Sequence, residues 1–451
     1  MKIGLEVHVQ LPTRSKLFCS CSTIGDEVNA SVCPICLGFP GSRPMLNRKA
    51  LEMGISIAKF LNCSINEKVW FSRKTYFYPD LVKNYQITQY ETPLGYDGHF
   101  MVGGRKIGIW RVHIEEDPGR IKRAGRSGEE VALVDYNRSG VPLVEIVTAP
   151  DLTSPEEARA FLSDLLIELR HLIGLSPNDE TTVRADANIS VGEERVEIKN
   201  INGLRNIERG LKFEAKRQSK LLAAGKRINR ETRRFDEERG TTLPSREKEF
   251  EEDYGYIGEP DLGTFNIGPM TRAIRLPETP LVRALRLEDE YGLAPASARQ
   301  IVLTSWELAD MFETLARRSG SEAATTWTLG AISAHWRELQ DRQGEGLEDR
   351  IVTIVEEVRT GEITDSEARM RIAALAGKEA EAATPSSAEA VEDLEELVAR
   401  LVDSHPEVVK DYRGNPRAAN FFMGQVMKEA QGRYASKEVS EAIRKELEKR
   451  V

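Results

Sequence analysis

Along the first 268 residues, apolar and polar positions alternate or cluster in short runs. Period-two or short apolar runs predict strands over residues 2–9, 106–114, 130–134, 142–147 and 195–198. Helical spacing interrupts them. Ser154-Pro155-Glu156-Glu157 offers an N-cap hydroxyl, a proline at the first helical position and a glutamate three residues after the cap. Phe161, Leu165, Leu169 and Leu172 follow on one helical face. A second helix is expected over 204–224, stopping near Gly225, and a shorter apolar one over 55–61. The pattern predicts an α/β or α+β domain with a large sheet over 1–268.

Beyond the Pro/Gly-rich stretch 255–280 the period changes. Residues 281–291, 296–300, 306–319 and 325–342 read as helices, and strand signals become rare. Gly344 and Gly346 mark a second boundary, so an all-α domain is expected over 269–346 and a small all-α tail domain over 347–451. The polar, alanine-rich bridge 377–390 carries Thr384-Pro385-Ser386-Ser387 as a turn and N-cap.

Composition narrows the class. The 451 residues are 40% hydrophobic and 30% charged, with a net charge of -9, which excludes an all-round basic coat but not a local basic face. Residues 406–451 hold 10 Lys and Arg against 7 Asp and Glu, or +3, whereas 347–405 hold 6 against 15, or -9. No apolar run reaches the roughly 18–20 residues of a membrane helix, and the start lacks a signal-peptide core, so the expected location is cytoplasmic, with no membrane partner.

Five cysteines do not make a disulfide framework, yet four of them cluster. Cys19-Ser20-Cys21 and Cys33-Pro34-Ile35-Cys36 can place four thiolates around one ion, which favours zinc and less often an iron–sulfur cluster; redox pairs or plain buried thiols are the alternatives. Four thiolates leave no open position, so such a zinc would be structural. Cys63 reads as a small core residue.

A second chemistry is acidic. Glu6-Val7-His8 puts a carboxylate and an imidazole on one strand face. Arg111-Val112-His113-Ile114-Glu115-Glu116-Asp117, then Arg184-Ala185-Asp186-Ala187-Asn188, then Glu197-Ile198-Lys199-Asn200 supply further carboxylates. Acidic groups seldom sit in strand interiors without partners, and several on one sheet face would make an oxygen-rich magnesium site; surface salt bridges are the plainer reading. The segments 73–80 and 85–90, with Lys74, Tyr76, Tyr78, Asp80 and Gln86, and the segment 253–262, suit a pocket for a polar ligand. No G-x-x-x-x-G-K-[ST] loop, G-x-G-x-x-G fingerprint or G-x-S-x-G elbow occurs, so any nucleotide binds without a P-loop.

Longer stretches carry a resemblance: Ile3–Leu11, Val32–Gly38, Arg73–Gln89, Glu115–Asp117, Leu133–Arg138, Glu145–Val147, Arg184–Ser190, Glu197–Asn202, Glu231–Asp236 and Asn420–Lys428. In these the chain resembles the B-subunit family of the heterotrimeric aspartyl/glutamyl-tRNA(Asn/Gln) amidotransferases. The resemblance implies a cradle-like domain, a helical domain and a small tail that holds tRNA. It implies partnership with an amidase A subunit and a small C subunit, and ATP-dependent phosphorylation of the Glu or Asp side chain on mischarged Glu-tRNA(Gln) or Asp-tRNA(Asn). Channelled ammonia, with glutamine as donor, then gives the amide. It carries magnesium and catalytic roles onto Glu6, His8, Glu116 and Asp186, and a magnesium role onto Glu197. Structural zinc falls on Cys19, Cys21, Cys33 and Cys36. Lys74, Tyr76, Tyr78, Asp80, Gln86, Arg184 and Asn188 would then face ATP.

The chain departs from the family at Gly255, where arginine is usual, at Ile257 and Gly258 in place of Phe-Pro, and at Pro118 in place of alanine. Two competing readings follow: a non-catalytic zinc-containing tRNA-binding protein on the same scaffold, and the E subunit of the two-subunit archaeal enzyme. The latter's extra inserted domain has no room between residues 268 and 347.

Overall fold

A computed structural model describes residues 1–451 except 26, 125–130, 176–182, 246–254, 343–345, 379–392, 413–418, 431–433, 435 and 451. The expected turn at 384–387 and residues 253–254 of the second aromatic segment lie outside the described residues. Two compact units emerge, Met1–Thr279 and Pro280–Val451.

The first unit is built on a nine-stranded sheet. Its order is Thr241–Pro244, Glu231–Asp236, Val196–Asn202, Val183–Ser190, Lys2–Gln10, Pro142–Thr148, Arg105–Glu116, Gly95–Val102 and Ser64–Ile65. Every pairing in it is antiparallel but one. Val196–Asn202 and Glu231–Asp236 run parallel, which requires a crossover. The helix Leu204–Ala223 supplies it, and the chain turns away at Gly225, whose φ of 69° suits glycine.

Lys2–Gln10 lies at the centre, where its alternation decides two faces. Ile3, Leu5, Val7 and Val9 are at most 1% exposed and join a core with Val144, Ile146, Ala185, Ala187 and Ile198. Three helices contribute to the same core through Ile55 and Ile57, Phe161, Leu165 and Leu169, and Ile207 and Leu211. The other positions of the alternation, Glu6, His8 and Gln10, face away from this core.

Local signals set the helix ends. Ser154 Oγ accepts from Glu157 N–H at 3.0 Å, Pro155 opens the helix Pro155–Ile173, and Gly174 closes it with φ 73°. Asn47 caps Arg48–Phe60 by accepting from the N–H groups of Lys49 and Ala50.

The second unit is helical throughout its described residues, and its apolar side chains form two cores. One runs from Ala284 to Ala376, the other from Leu397 to Leu447. Gly346 separates two helices but not two cores, because Ile351, Val352, Val355 and Ile372 of Leu347–Thr360 and Asp365–Leu375 pack with Phe312, Leu315 and Ile332. The helix expected over 325–342 is broken. Ser321–Trp327 passes into a π-turn at Thr328–Ile332 and then into Trp336–Asp341, with Gly330 at φ -92°, ψ -109°. Glycine tolerates that conformation, and the hydrophobic spacing does not register it.

Candidate active site and metal centres

The sheet face turned away from the main core gathers polar groups from five adjacent strands. Strand register does the gathering. Glu6 pairs with Asp186, His8 with Glu145, Glu145 with His113 and Asn188 with Glu197. Two groups result. The ligand atoms of His8, Glu115 and Glu145 lie within 4.8 Å of one another, as do those of Glu6, Asp186 and Glu197.

In the first group Glu145 is bracketed by imidazoles. Its Oε2 lies 3.3 Å from His8 Nε2 and 3.4 Å from His113 Nε2. Glu115 sits 3.8 Å from His8 Nε2 and accepts from Thr88 Oγ1 at 3.0 Å. Burial opposes charge on His8, but its hydrogen bond to Glu145 and the charges of Glu145, Glu115 and Asp186 outweigh it, pushing His8 up to about 9. Burial likewise opposes charge on Glu145, and the two imidazoles hold it well below the usual carboxylate value.

The second group has no imidazole between its carboxylates, and Lys199 Nζ lies 3.8 Å from Glu197 Oε1 at its edge. Burial first, then the charges of Glu145, Asp186 and Glu197, push Glu6 up to about 7. Burial also raises Glu197. Asn188 Nδ2 donates to Glu6 Oε1 at 3.1 Å, and Thr232 Oγ1 donates to Glu197 Oε2 at 3.1 Å, so both carboxylates are oriented. Among the described residues, Asn188 Oδ1 is buried without a hydrogen-bond partner. Three converging carboxylates beside an unused amide oxygen are an all-oxygen donor set that fits a hard divalent cation.

Glu116, expected beside Glu6 and His8, does not meet them on this face. Successive residues of a strand point to opposite faces, so Glu115, two positions from His113, shares the carboxylate face, and Glu116 does not. Glu116 pairs instead with Lys83 Nζ at 2.5 Å and accepts from Ile87 N–H at 2.8 Å. His113, Glu115 and Glu145 lie in stretches quoted from the sequence, but none of the three is named there as a candidate site residue; the structure brings them together. Two signals pointed to them: His113-Ile114-Glu115 repeats the spacing of Glu6-Val7-His8, and Glu145 is the lone charge in an otherwise apolar strand.

The remaining candidates divide. Gln86 is buried and donates to the Glu116 carbonyl at 2.8 Å. Arg184 binds Asp117 at 2.9 and 3.1 Å, where Gln10 Nε2 and Arg138 also converge. Both side chains thus have protein partners in this structure. Lys74 sits half-buried on the strand Ser72–Thr75, with Nζ 6.0 Å from the Tyr76 ring centre. Tyr78 is 51% exposed and Asp80 half-buried, with burial raising the Asp80 carboxyl. Gly255–Gly258 pairs with Ser72–Thr75, and Tyr256 of that strand stacks on Tyr90 at 4.0 Å. A Cβ on Gly258 would meet nothing within 4 Å, so space does not demand glycine there.

The four clustered cysteines meet. Their sulfurs all lie within 4.8 Å of one another, close to the about 3.8 Å between sulfurs of a tetrahedral zinc site with Zn–S of about 2.3 Å. The turn through Cys33 and Cys36 is closed by Leu37 N–H to Cys33 O and by Gly38 at φ 69°. The Cys19 thiol, Cys33 N–H and Lys16 draw Cys36 down to about 4 against its burial. This knuckle is tied to the turn before Pro142–Thr148. Ser31 N–H donates to Asn137 Oδ1 at 2.8 Å, and Leu17 N–H donates to Gly140 O at 2.8 Å. A small cleft lies beside it, lined by Lys16, Cys36, Lys83, Tyr85 and Glu116 among others.

Known proteins are similar to this chain over all or nearly all of its length. Residues 1–272 match the GatB/GatE catalytic domain and residues 310–447 the GatB domain. The chain is similar to proteins named as B subunits of aspartyl/glutamyl-tRNA(Asn/Gln) amidotransferase. That of Methanospirillum hungatei is 39% identical over 100% of this chain and 98% of its own. That of Methanocaldococcus jannaschii is 39% identical over 100% and 98%. That of Thermomicrobium roseum is 42% identical over 96% and 95%.

Proposed function

The chain belongs to the family of aspartyl/glutamyl-tRNA(Asn/Gln) amidotransferase B subunits, and on that premise we propose that it carries the synthetic half of the reaction. The substrate is the side-chain carboxylate of Glu-tRNA(Gln) or Asp-tRNA(Asn). A carboxylate is a poor electrophile toward ammonia. Its oxygen bonds to the terminal phosphorus of ATP as the bond to ADP breaks. Ammonia, released from glutamine by an amidase A subunit, then bonds to the activated carbon, phosphate leaves, and a proton is lost.

The observation that carries this reading is the pair of carboxylate groups on one sheet face. Phosphoryl transfer asks a protein for positioning and charge neutralisation more than for covalent chemistry. Magnesium held by Glu6, Asp186 and Glu197, and by Glu115 and Glu145 together with His8 once that imidazole has given up its proton, would supply the neutralising charge. The chain's own side chains prepare those donors. Asn188 fixes Glu6, Thr232 fixes Glu197, Thr88 fixes Glu115, and His113 holds Glu145 ionised. Lys74, Tyr76, Tyr78 and Asp80 are proposed to meet the nucleotide, while Gln86 and Arg184 act as positioning residues. The four-cysteine centre is read as structural zinc. A small C subunit completes the heterotrimer, the C-terminal helices hold tRNA, and the complex works in the cytoplasm.

The test is to purify the chain with candidate A and C subunits and measure ATP-, Mg²⁺- and glutamine-dependent conversion of each mischarged tRNA. Conversion of neither, with an active glutaminase partner, would overturn the reading.

A further inference from the structure

We propose that Lys16 is the outer-sphere cation of the four-cysteine centre, its buried ammonium donating to the Cys36 sulfur and offsetting the charge of the metal site. The inference rests on the zinc reading above.

Lys16 is 0% exposed. Lysine is among the residues least often fully buried, and a buried ammonium requires hydrogen-bond acceptors and a compensating negative charge. Its Nζ donates to Tyr136 O at 3.3 Å and to Cys36 Sγ at 3.7 Å. Among the described residues no carboxylate forms an ion pair with it. The nearby Lys83–Glu116 pair is self-contained at 2.5 Å. The negative charge that answers Lys16 is therefore sulfur.

The chain also holds Lys16 from both sides of the centre. Its backbone N–H donates to Cys21 O at 3.0 Å, on the first cysteine pair, while its side chain reaches Cys36 on the second. Its stem passes Gly140, where an added Cβ would lie 3.4 Å from Lys16 Cδ. Cys36 Sγ receives a second donor, Cys33 N–H at 3.1 Å. A divalent ion with four thiolates carries a net negative charge. In a buried setting that charge is stabilised by N–H donors and a fixed cation. Such partners typically govern metal affinity by about 10–100-fold. Lys16 is thus a positioning residue for the metal site, and it links that site to the Tyr136 turn.

The experiment compares the wild-type chain with Lys16→Met, which keeps length and apolar stem but removes charge and donor. Zinc content is measured first, then the rate of zinc transfer to a chromogenic chelator. The sulfur-to-metal charge-transfer band of the cobalt-substituted protein follows. We expect both proteins to bind one zinc, the variant to release it about 10–100-fold faster, and its band to move to longer wavelength, since a thiolate with fewer hydrogen bonds gives up charge more readily. Unchanged release and an unshifted band would overturn the proposal. Equal destabilisation of the metal-stripped and metal-loaded variants would overturn it as well, because that marks a packing role. Should Lys16→Met not fold, Lys16→Gln is read the same way. A wild-type chain without zinc overturns the zinc reading itself, and the proposal with it.

Discussion

His8 Nε2 lies 3.3 Å from Glu145 Oε2, and these residues face each other directly across two central strands of the sheet. Glu145 thereby joins the Glu6-Val7-His8 motif to His113 and Glu115 on the next strand. Removing its charge should uncouple the site without emptying the core.

Glu145→Gln and Glu115→Gln should each lower tRNA-dependent ATP cleavage and amidation by on the order of 10²-fold or more, by analogy with loss of one preorganised electrostatic group. Both activities should fall together, because activation precedes ammonia attack. The partner's glutaminase chemistry should survive. Wild-type rates in saturating Mg²⁺ would move the metal site elsewhere.

Glu116 should behave differently. It and Lys83 are each 6% exposed and pair at 2.5 Å. Glu116→Gln leaves a buried ammonium without its carboxylate, at a cost of about 3–5 kcal/mol. Adding Lys83→Met should recover much of the loss in denaturant titration. Equal stability of the single variant and the wild type would remove Glu116 from the fold's ion pairs.

The metal centre predicts close to one equivalent of zinc in protein purified without added metal. The Cys33→Ser/Cys36→Ser variant should contain none. An equivalent retained in that variant would point to other ligands.

A pH effect on stability is expected at Glu214. The residue is 0% exposed, and although burial opposes its charge, hydrogen bonds from Arg217, Gln218 and Thr242 hold it below the usual carboxylate value. A lowered folded-state value means the contribution is present in full above the unfolded-state pKa of about 4.3 and fades as pH falls through the lower folded value. The urea midpoint of Glu214→Gln should lie below wild type at neutral pH and approach it in acid. A gap that widens in acid would contradict this.

The tail prediction follows from the cores. The last apolar cluster begins at Leu397, and residues 406–451 carry the +3 excess, 10 Lys and Arg against 7 Asp and Glu. Deleting residues 379–451 removes that cluster and spares the core ending at Ala376. The KM for charged tRNA should rise far more than that for ATP, and tRNA affinity of the intact complex should fall with salt. Equal changes in both KM values would argue against a tRNA-holding tail.

Sequence alone determined what is local. Ser154, Pro155 and Glu157 set one helix start, because capping involves groups within one turn. The four cysteines were legible as one centre because all lie in a single short segment. The family and the strand-rich half followed from long motifs and period-two runs. What only the tertiary structure decided is which distant carboxylates meet. Sequence offered Glu115 and Glu116 side by side, and the face of the strand chose Glu115. It left Glu145 inside an apolar run, and the register against Lys2–Gln10 brought it to His8. It did not show the partners of Arg184 and Gln86, which are Asp117 and the Glu116 carbonyl. Spacing along a chain fixes neighbours within a turn or a strand, whereas charge pairing across a sheet depends on a register set by the whole buried face.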